Sequence, residues 1–392
     1  MMKSEAVTGV QPAVIRWARE SIGMSIEDVA SRLKKPVDVV SSWEQEGGGA
    51  PTYIQLETLA YEVYKRPLAV FFLPEPPDEK RPSHEFRTLP AAELTTLWVD
   101  THFHIRKAHA YQVSLKDLYS DTNPAPIKIW EQISLSLQKS PKVQAENVRE
   151  LLGIGIEEQA HWDSDEEALR KWRQAIEDMG VFVFKDAFKQ KSISGFCLQD
   201  SKFPVIYLNN STAKTRQIFS LLHELSHLLF HMNGLSKFDQ GYIDNLPVNE
   251  RRIEVFCNAV AAEILIPSTD FDNQIRQLPE NAEKAPEAIY GVLAKRYGVS
   301  REVILRRFLD LGRVEQKFYE AKAAEWTKQK KTKPGGDWYL SKGAYLSDRF
   351  LREVFSRHYR QELSVEQASD FLGIKAKNLA GLEQLVLKRS AA

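Results

Sequence analysis

The chain is poor in cysteine. Two residues, Cys197 and Cys257, occur in 392, too few for a disulfide framework, so a reducing compartment and a cytoplasmic location are expected. Long apolar runs are missing as well. No stretch approaches the ~20 residues of a membrane-spanning helix, and the opening MMKSEAVTGVQPAVIRWARE lacks the apolar core of a signal peptide. No membrane partner is expected. Nor is there an excess of either charge: 53 Lys and Arg balance 53 Asp and Glu, which argues against nucleic-acid binding by bulk charge. No repeat of solenoid period is visible.

What is present is unevenly distributed. Residues 1–75 carry 8 Lys and Arg against 10 Asp and Glu, whereas residues 300–392 carry 19 against 12. The basic stretch WTKQKKTKPGG reads as a solvated linker or as a phosphate-facing segment. Residues 12–73 read as five short helices. Pro12 suits a helix-first position, and Ser25 with Asp28 forms a capping-box pattern. Ile26, Val29, Ala30, Leu33, Val40 and Trp43 are the positions these helices must bury, and the short Leu33–Pro36 connection fits a helix-turn-helix. LPEPPDEKRP then marks a domain edge. A mostly helical connector follows, and then three strand-like runs, VFVFK, SGFCLQ and PVIYL. Pro204 at the start of the third suggests an edge strand. The remainder is helical.

The segment SLLHELSHLLFHM, Ser220–Met232, is apolar enough for a buried helix yet holds three histidines and a glutamate. At about 100° per residue, Ile218, Leu222, Leu225, Leu229 and Met232 form one stripe, with His223 and His227 opposite, one turn apart. Two imidazoles so spaced can meet one ion, and Glu224 falls where it can act on a water without binding the ion itself. H-E-x-x-H on a helix therefore signals a zinc site with a built-in general base. Chance gives roughly 0.02 such motifs in a chain of this composition. His231 sits about 12 Å along the axis from His223, too far for the same ion. It lies behind a ligand or at the surface.

A catalytic zinc needs a third protein ligand and an open position. Asp239, Asp244, Glu250, Glu254 and Glu263 are the candidates. On the helical run RRIEVFCNAVAAEIL, Glu254 shares a face with Asn258, Ala261 and Ala262, which permits close approach, and Asn258 is placed to brace its carboxylate. Glu263 points the other way. Spacing favours Glu254 without excluding the loop acids. Tyr207, Tyr242 and Arg252 are candidate oxyanion donors, and the strand PVIYLNN is a candidate edge for an extended peptide.

HELSHLLFH, IEVFCNAVAAEILIP and LAKRYGVSREVILRRFLDLG resemble the ImmA/IrrE family of zinc metallo-endopeptidases. The second segment resembles that family's E-x-x-A-N-x-F-A-A-x-L-L-x-P pattern, with Val260 where Phe is frequent. The resemblance implies Zn2+ on His223, His227 and Glu254, and Glu224 as general base. Residues 12–73 look like a lambda-repressor-like (xre-type) helix-turn-helix, with WEQE at Trp43–Glu46 in place of W-E-x-G. SHEFRTLP resembles the junction of long members that fuse the two. The expected fold is mostly α with a small α+β zincin-like domain. It comprises a five-helix helix-turn-helix domain at 10–75, a linker and helical connector at 76–170, a peptidase domain at 171–312 with a three-stranded sheet beside the H-E-x-x-H helix, and a helical region at 313–392.

If Pro36–Trp43 is a recognition helix, Val37, Asp38, Ser41 and Ser42 face the bases and Arg32, Lys34 and Lys35 the phosphates. None of the first four is an Arg, Asn or Gln, and Asp38 opposes phosphate. The module therefore binds DNA, docks a related repressor, or pairs with a second copy. Two functions follow. One is a zinc endopeptidase cleaving a cytoplasmic helix-turn-helix repressor in a stress, mobile-element or defence response. The other is a non-proteolytic regulator or antitoxin whose zinc domain senses or stabilises. LSVEQASDFLGI reads as a helical cap or a further docking unit.

Overall fold

The structure is a computed structural model and describes residues 5–79, 85–86, 88–94, 96–237, 240–328, 343 and 345–390. Asp239, most of WTKQKKTKPGG and part of SHEFRTLP lie outside the described residues. Two compact units are present: residues 1–107 with 188–192, and residues 108–187 with 193–392.

The first unit holds α1 (Pro12–Glu20), α2 (Ile26–Leu33), α3 (Val37–Ser42) and α4 (Tyr53–Thr58). A π-helical turn at Leu59–Val63 and a 3-10 turn at Leu68–Phe72 follow. Pro12 opens α1, where its missing N–H leaves no bond unmade. Ser25 and Asp28 close a reciprocal capping box on α2. Left-handed Lys34 caps the end of α2, and Pro36 starts the chain into α3. Val14, Ala18, Val29, Val40, Trp43, Leu56, Leu59 and Phe71 form the core. Beside Trp43, the buried Glu44 accepts from Arg19 at both oxygens, Nε to Oε1 at 2.7 Å and Nη2 to Oε2 at 2.8 Å. This two-pronged pair ties α1 to the end of α3 and leaves neither carboxylate oxygen unpartnered.

The boundary between the units falls within α5 (Val99–Leu118). The second unit continues with α6 (Pro141–Leu152), α7 (Asp165–Asp178), β1 (Phe182–Asp186), β2 (Ile193–Leu198), β3 (Val205–Asn209), α8 (Lys214–Leu229), β4 (Gly234–Lys237) and α9 (Val248–Leu265). Its last helices are α10 (Ala288–Tyr297), α11 (Arg301–Asp310), α12 (Gln316–Lys328), α13 (Asp348–Tyr359), α14 (Val365–Leu372) and α15 (Leu379–Ser390).

The strands form one mixed sheet in the order β1-β3-β2-β4, with β1 parallel to β3 and the other pairs antiparallel. Strand alternation divides its side chains between two covered faces. Val183, Cys197, Ile206 and Leu208 join a core with Ile218, Leu222 and Leu225 of α8. On the other face Phe184 stacks on Tyr111 of α5 at 4.0 Å and meets Phe350 of α13 edge-on, while Phe196 stacks on Tyr207 at 5.2 Å.

Two expectations need correcting. The sheet has four strands, not three: the fourth, Gly-Leu-Ser-Lys, has too little apolar sequence to show. And β3 is interior rather than an edge. Pro204 precedes the first paired residue, Val205, and offers its carbonyl to the Phe182 N–H at 3.0 Å, so its missing N–H falls outside the ladder. The edges are β1 and β4.

Candidate metal centre

Helix α8 is a core helix. Every residue from Gln217 to Leu229 is buried except the half-buried Phe219. A histidine pair at this spacing is therefore turned toward protein, not water, and what it faces is α9. His223 Nε2 and His227 Nε2 lie 3.0 Å apart. Glu254 of α9 places Oε2 at 3.4 Å from His223 Nε2 and Oε1 at 3.1 Å from His227 Nε2. One ligand atom from each residue falls within 4.8 Å of the others, and all three residues are buried.

The polar atoms here are poorly satisfied by the protein itself. Glu224 is 0% exposed, and among the described residues neither of its oxygens has a hydrogen-bond partner. Glu254 Oε1 and His223 Nδ1 are in the same condition. Burying an uncompensated carboxylate is costly, so this pocket is incomplete as a purely structural arrangement. Two imidazole nitrogens and a carboxylate converging on one point are the donor set of a catalytic zinc site, and the residues present fit such an ion.

Several features hold the set in place. Gly234, the first residue of β4, runs so close that a Cβ there would meet His227 Cδ2 at 2.6 Å and Glu224 Oε2 at 2.8 Å. Only glycine lets this edge strand approach the site. Tyr242 Oη donates to Glu254 Oε2 at 3.1 Å. Burial and the neighbouring Glu254 both push the Tyr242 phenol well above its ordinary pKa, so it stays a donor. Burial alone would raise the Glu254 carboxyl, but His227 and His223 outweigh it and hold Glu254 below the usual carboxylate range.

The other sequence candidates separate clearly. Asn258 is half-buried in the wall of the adjoining cavity, and among the described residues the hydrogen bond bracing Glu254 comes from Tyr242, not Asn258. His231 lies past the end of α8, exposed and with a left-handed φ of 57°, so it does not continue the histidine ridge. Glu263 is engaged by Arg307 Nη2 at 2.5 Å and by the Ser268 N–H at 3.1 Å. Asp244 pairs with Arg251 on the surface at 2.9 Å. Of the oxyanion candidates, Tyr207 is buried in the sheet with its hydroxyl toward Asp186 at 3.3 Å, Arg252 is exposed, and Tyr242 alone lines the cavity with His223. Sequence reasoning missed Gly234 and also Cys257, whose Sγ lies 3.6 Å from His227 Nδ1, because both contacts join segments far apart in the chain. That cavity encloses about 990 Å³, with Phe219, Val255, Ala259 and Ala262 among its walls.

In the first unit Arg32, Lys34, Lys35, Val37 and Asp38 are exposed. Ser41 and Ser42 are half-buried and bonded locally: Ser41 Oγ accepts from Gln45 Nε2 at 3.2 Å, and Ser42 Oγ donates to the Val39 carbonyl at 2.7 Å.

Residues 176–309 match the family model described as IrrE N-terminal-like domain, a peptidase family. The matched stretch runs from the end of α7 into α11 and includes both ligand-bearing helices, but covers about a third of the chain and none of residues 12–73. No curated protein matches the chain. Among the described residues no helix is long and apolar enough to cross a membrane.

Proposed function

We propose that this chain is a zinc-dependent endopeptidase of the ImmA/IrrE type that cleaves a cytoplasmic protein, a helix-turn-helix transcriptional repressor, in a stress, mobile-element or defence response. The observation that carries this reading is the convergence of His223, His227 and Glu254 beside a buried, unpartnered Glu224. When bound, zinc supplies Lewis acidity, polarising a scissile carbonyl and making a water acidic enough to attack near neutral pH. Glu224 takes the proton from the attacking water and returns it to the leaving amine. Tyr242 keeps the Glu254 carboxylate oriented. An extended peptide has side-chain space in the 990 Å³ cavity that reaches His223.

Residues 12–73 act as a docking module for DNA or for the repressor itself, with Arg32, Lys34 and Lys35 the cations available for phosphate and Val37, Asp38, Ser41 and Ser42 the reading face. A second copy of the chain is a further possible occupant of that module. The test compares new protein N-termini in host cells making the wild type or Glu224→Gln, with and without DNA damage. Products that require Glu224 are expected; identical N-termini in every condition would overturn the peptidase reading and leave a non-proteolytic regulator.

A further inference from the structure

The two histidines of the site are not held alike. His223 Nδ1 is buried and has no hydrogen-bond partner among the described residues, although the His223 side chain is among those lining the cavity. His227 is 0% exposed, and its Nδ1 lies 3.6 Å from the Sγ of Cys257, one turn of α9 after Glu254. Cys257 is itself fully buried and forms no disulfide. His227 is closed to bulk solvent, and the Cys257 sulfur is the group placed against its Nδ1.

This contact bears on metal binding because a neutral imidazole carries one proton. If that proton sits on Nδ1, Nε2 presents a lone pair toward His223 and Glu254; if it sits on Nε2, the ring cannot be a ligand there. A buried acceptor at Nδ1 selects the first tautomer and fixes the ring's rotation. We propose that Cys257 is a positioning residue for His227, its sulfur accepting the Nδ1–H so that Nε2 is committed to the metal. Helix α9 then provides two separate functions one turn apart: Glu254 as a ligand and Cys257 as the orienting acceptor behind another. The inference rests on the metal reading of the site given above. It also gives a use to one of only two cysteines in the chain.

The experiment measures zinc affinity of the full chain by competition with a chromophoric chelator, for the wild type, Cys257→Val and Cys257→Ser. Valine fills the space but cannot accept a hydrogen bond; serine keeps an acceptor. Valine is expected to weaken zinc binding about 10- to 100-fold, the range for loss of an orienting partner, with serine within a few-fold of wild type. A purely packing role predicts a change in the melting temperature of the metal-free variants and no change in zinc affinity. Equal affinity for valine and wild type would overturn the proposal. Should the valine variant not fold, nitrogen-15 spectra of histidine-labelled, zinc-loaded wild type decide instead: His227 is expected with its proton on Nδ1, and a proton on Nε2 would overturn the assignment. Failure of the wild type to bind zinc at all would refute the metal reading itself, a result distinct from either of these.

Discussion

Glu44 and Glu224 are both carboxylates in the interior, 3% and 0% exposed, one in each unit of the molecule. Glu44 has an arginine on both oxygens. Neither oxygen of Glu224 meets hydrogen-bond geometry with a described residue, and its neighbours include the Cys197 thiol, His227 and the bare backbone of Gly234. The first arrangement is closed and its purpose is cohesion. The second lacks that pairing, and a buried carboxylate without a partner carries a cost that packing alone does not offset.

The largest effect expected from this contrast is on catalysis. Glu224→Gln should lower cleavage by about 10²- to 10⁴-fold, the span typical of losing a general base. It should leave the melting temperature of the metal-free protein unchanged or higher, because it removes an unpartnered buried charge. A lower melting temperature would break the comparison. Next comes metal removal: chelation should destabilise the second unit by about 4 kcal/mol relative to protein held at a thousandfold excess of free zinc over its dissociation constant. Calorimetry reads this, and Glu254→Gln should show little response to zinc. Glu44→Ala should cost the first unit about 3 kcal/mol by removing the carboxylate that engages Arg19 Nε and Nη2. Cleavage of a short peptide should persist, which separates cohesion from chemistry.

The smallest effect is a difference in pH response. Burial pushes the His102 imidazole in the first unit from 6.5 down to about 4, with Arg106 and Arg66 adding to it. Its folded form resists protonation, so stability is lost as pH falls from about 6.5 toward 4. In the second unit burial raises Glu177 from 4.5 to about 7 against the pull of Arg173. Its folded form resists ionisation, so stability falls as pH rises from about 4.5 to 7. Acidification should therefore weaken the His102 contribution to the first unit and strengthen the Glu177 contribution to the second. Thermal scans at pH 5 and 7.5, repeated with His102→Asn and Glu177→Gln, check both signs; each substitution should flatten the response of its own unit.

The parts legible in the sequence are those written at short range. His223, Glu224 and His227 announce themselves because helical spacing alone brings two rings together. Glu254 is favoured over the loop acids, not singled out, by the face it shares with small residues on the next long helix, and the structure groups it with His223 and His227. The capping box at Ser25 and Asp28 is local too, and the structure contains it. What the sequence hides is contact between segments: Tyr242 as the partner of Glu254, Cys257 behind His227, and β4 at the sheet edge. Gly-Leu-Ser-Lys has no apolar run to betray a strand, and its glycine matters only because α8 lies against it. Pro204 misleads for the opposite reason. Its chemistry is local, but whether a missing N–H matters depends on where the ladder begins.

The most direct test of the central claim is a crystal of the zinc-loaded chain measured at the zinc absorption edge. The account predicts a single anomalous peak bonded to His223 Nε2, His227 Nε2 and a Glu254 oxygen, with Glu224 beside it but unbonded. No peak among these residues, or zinc held elsewhere while they close on one another through shared protons, would contradict it.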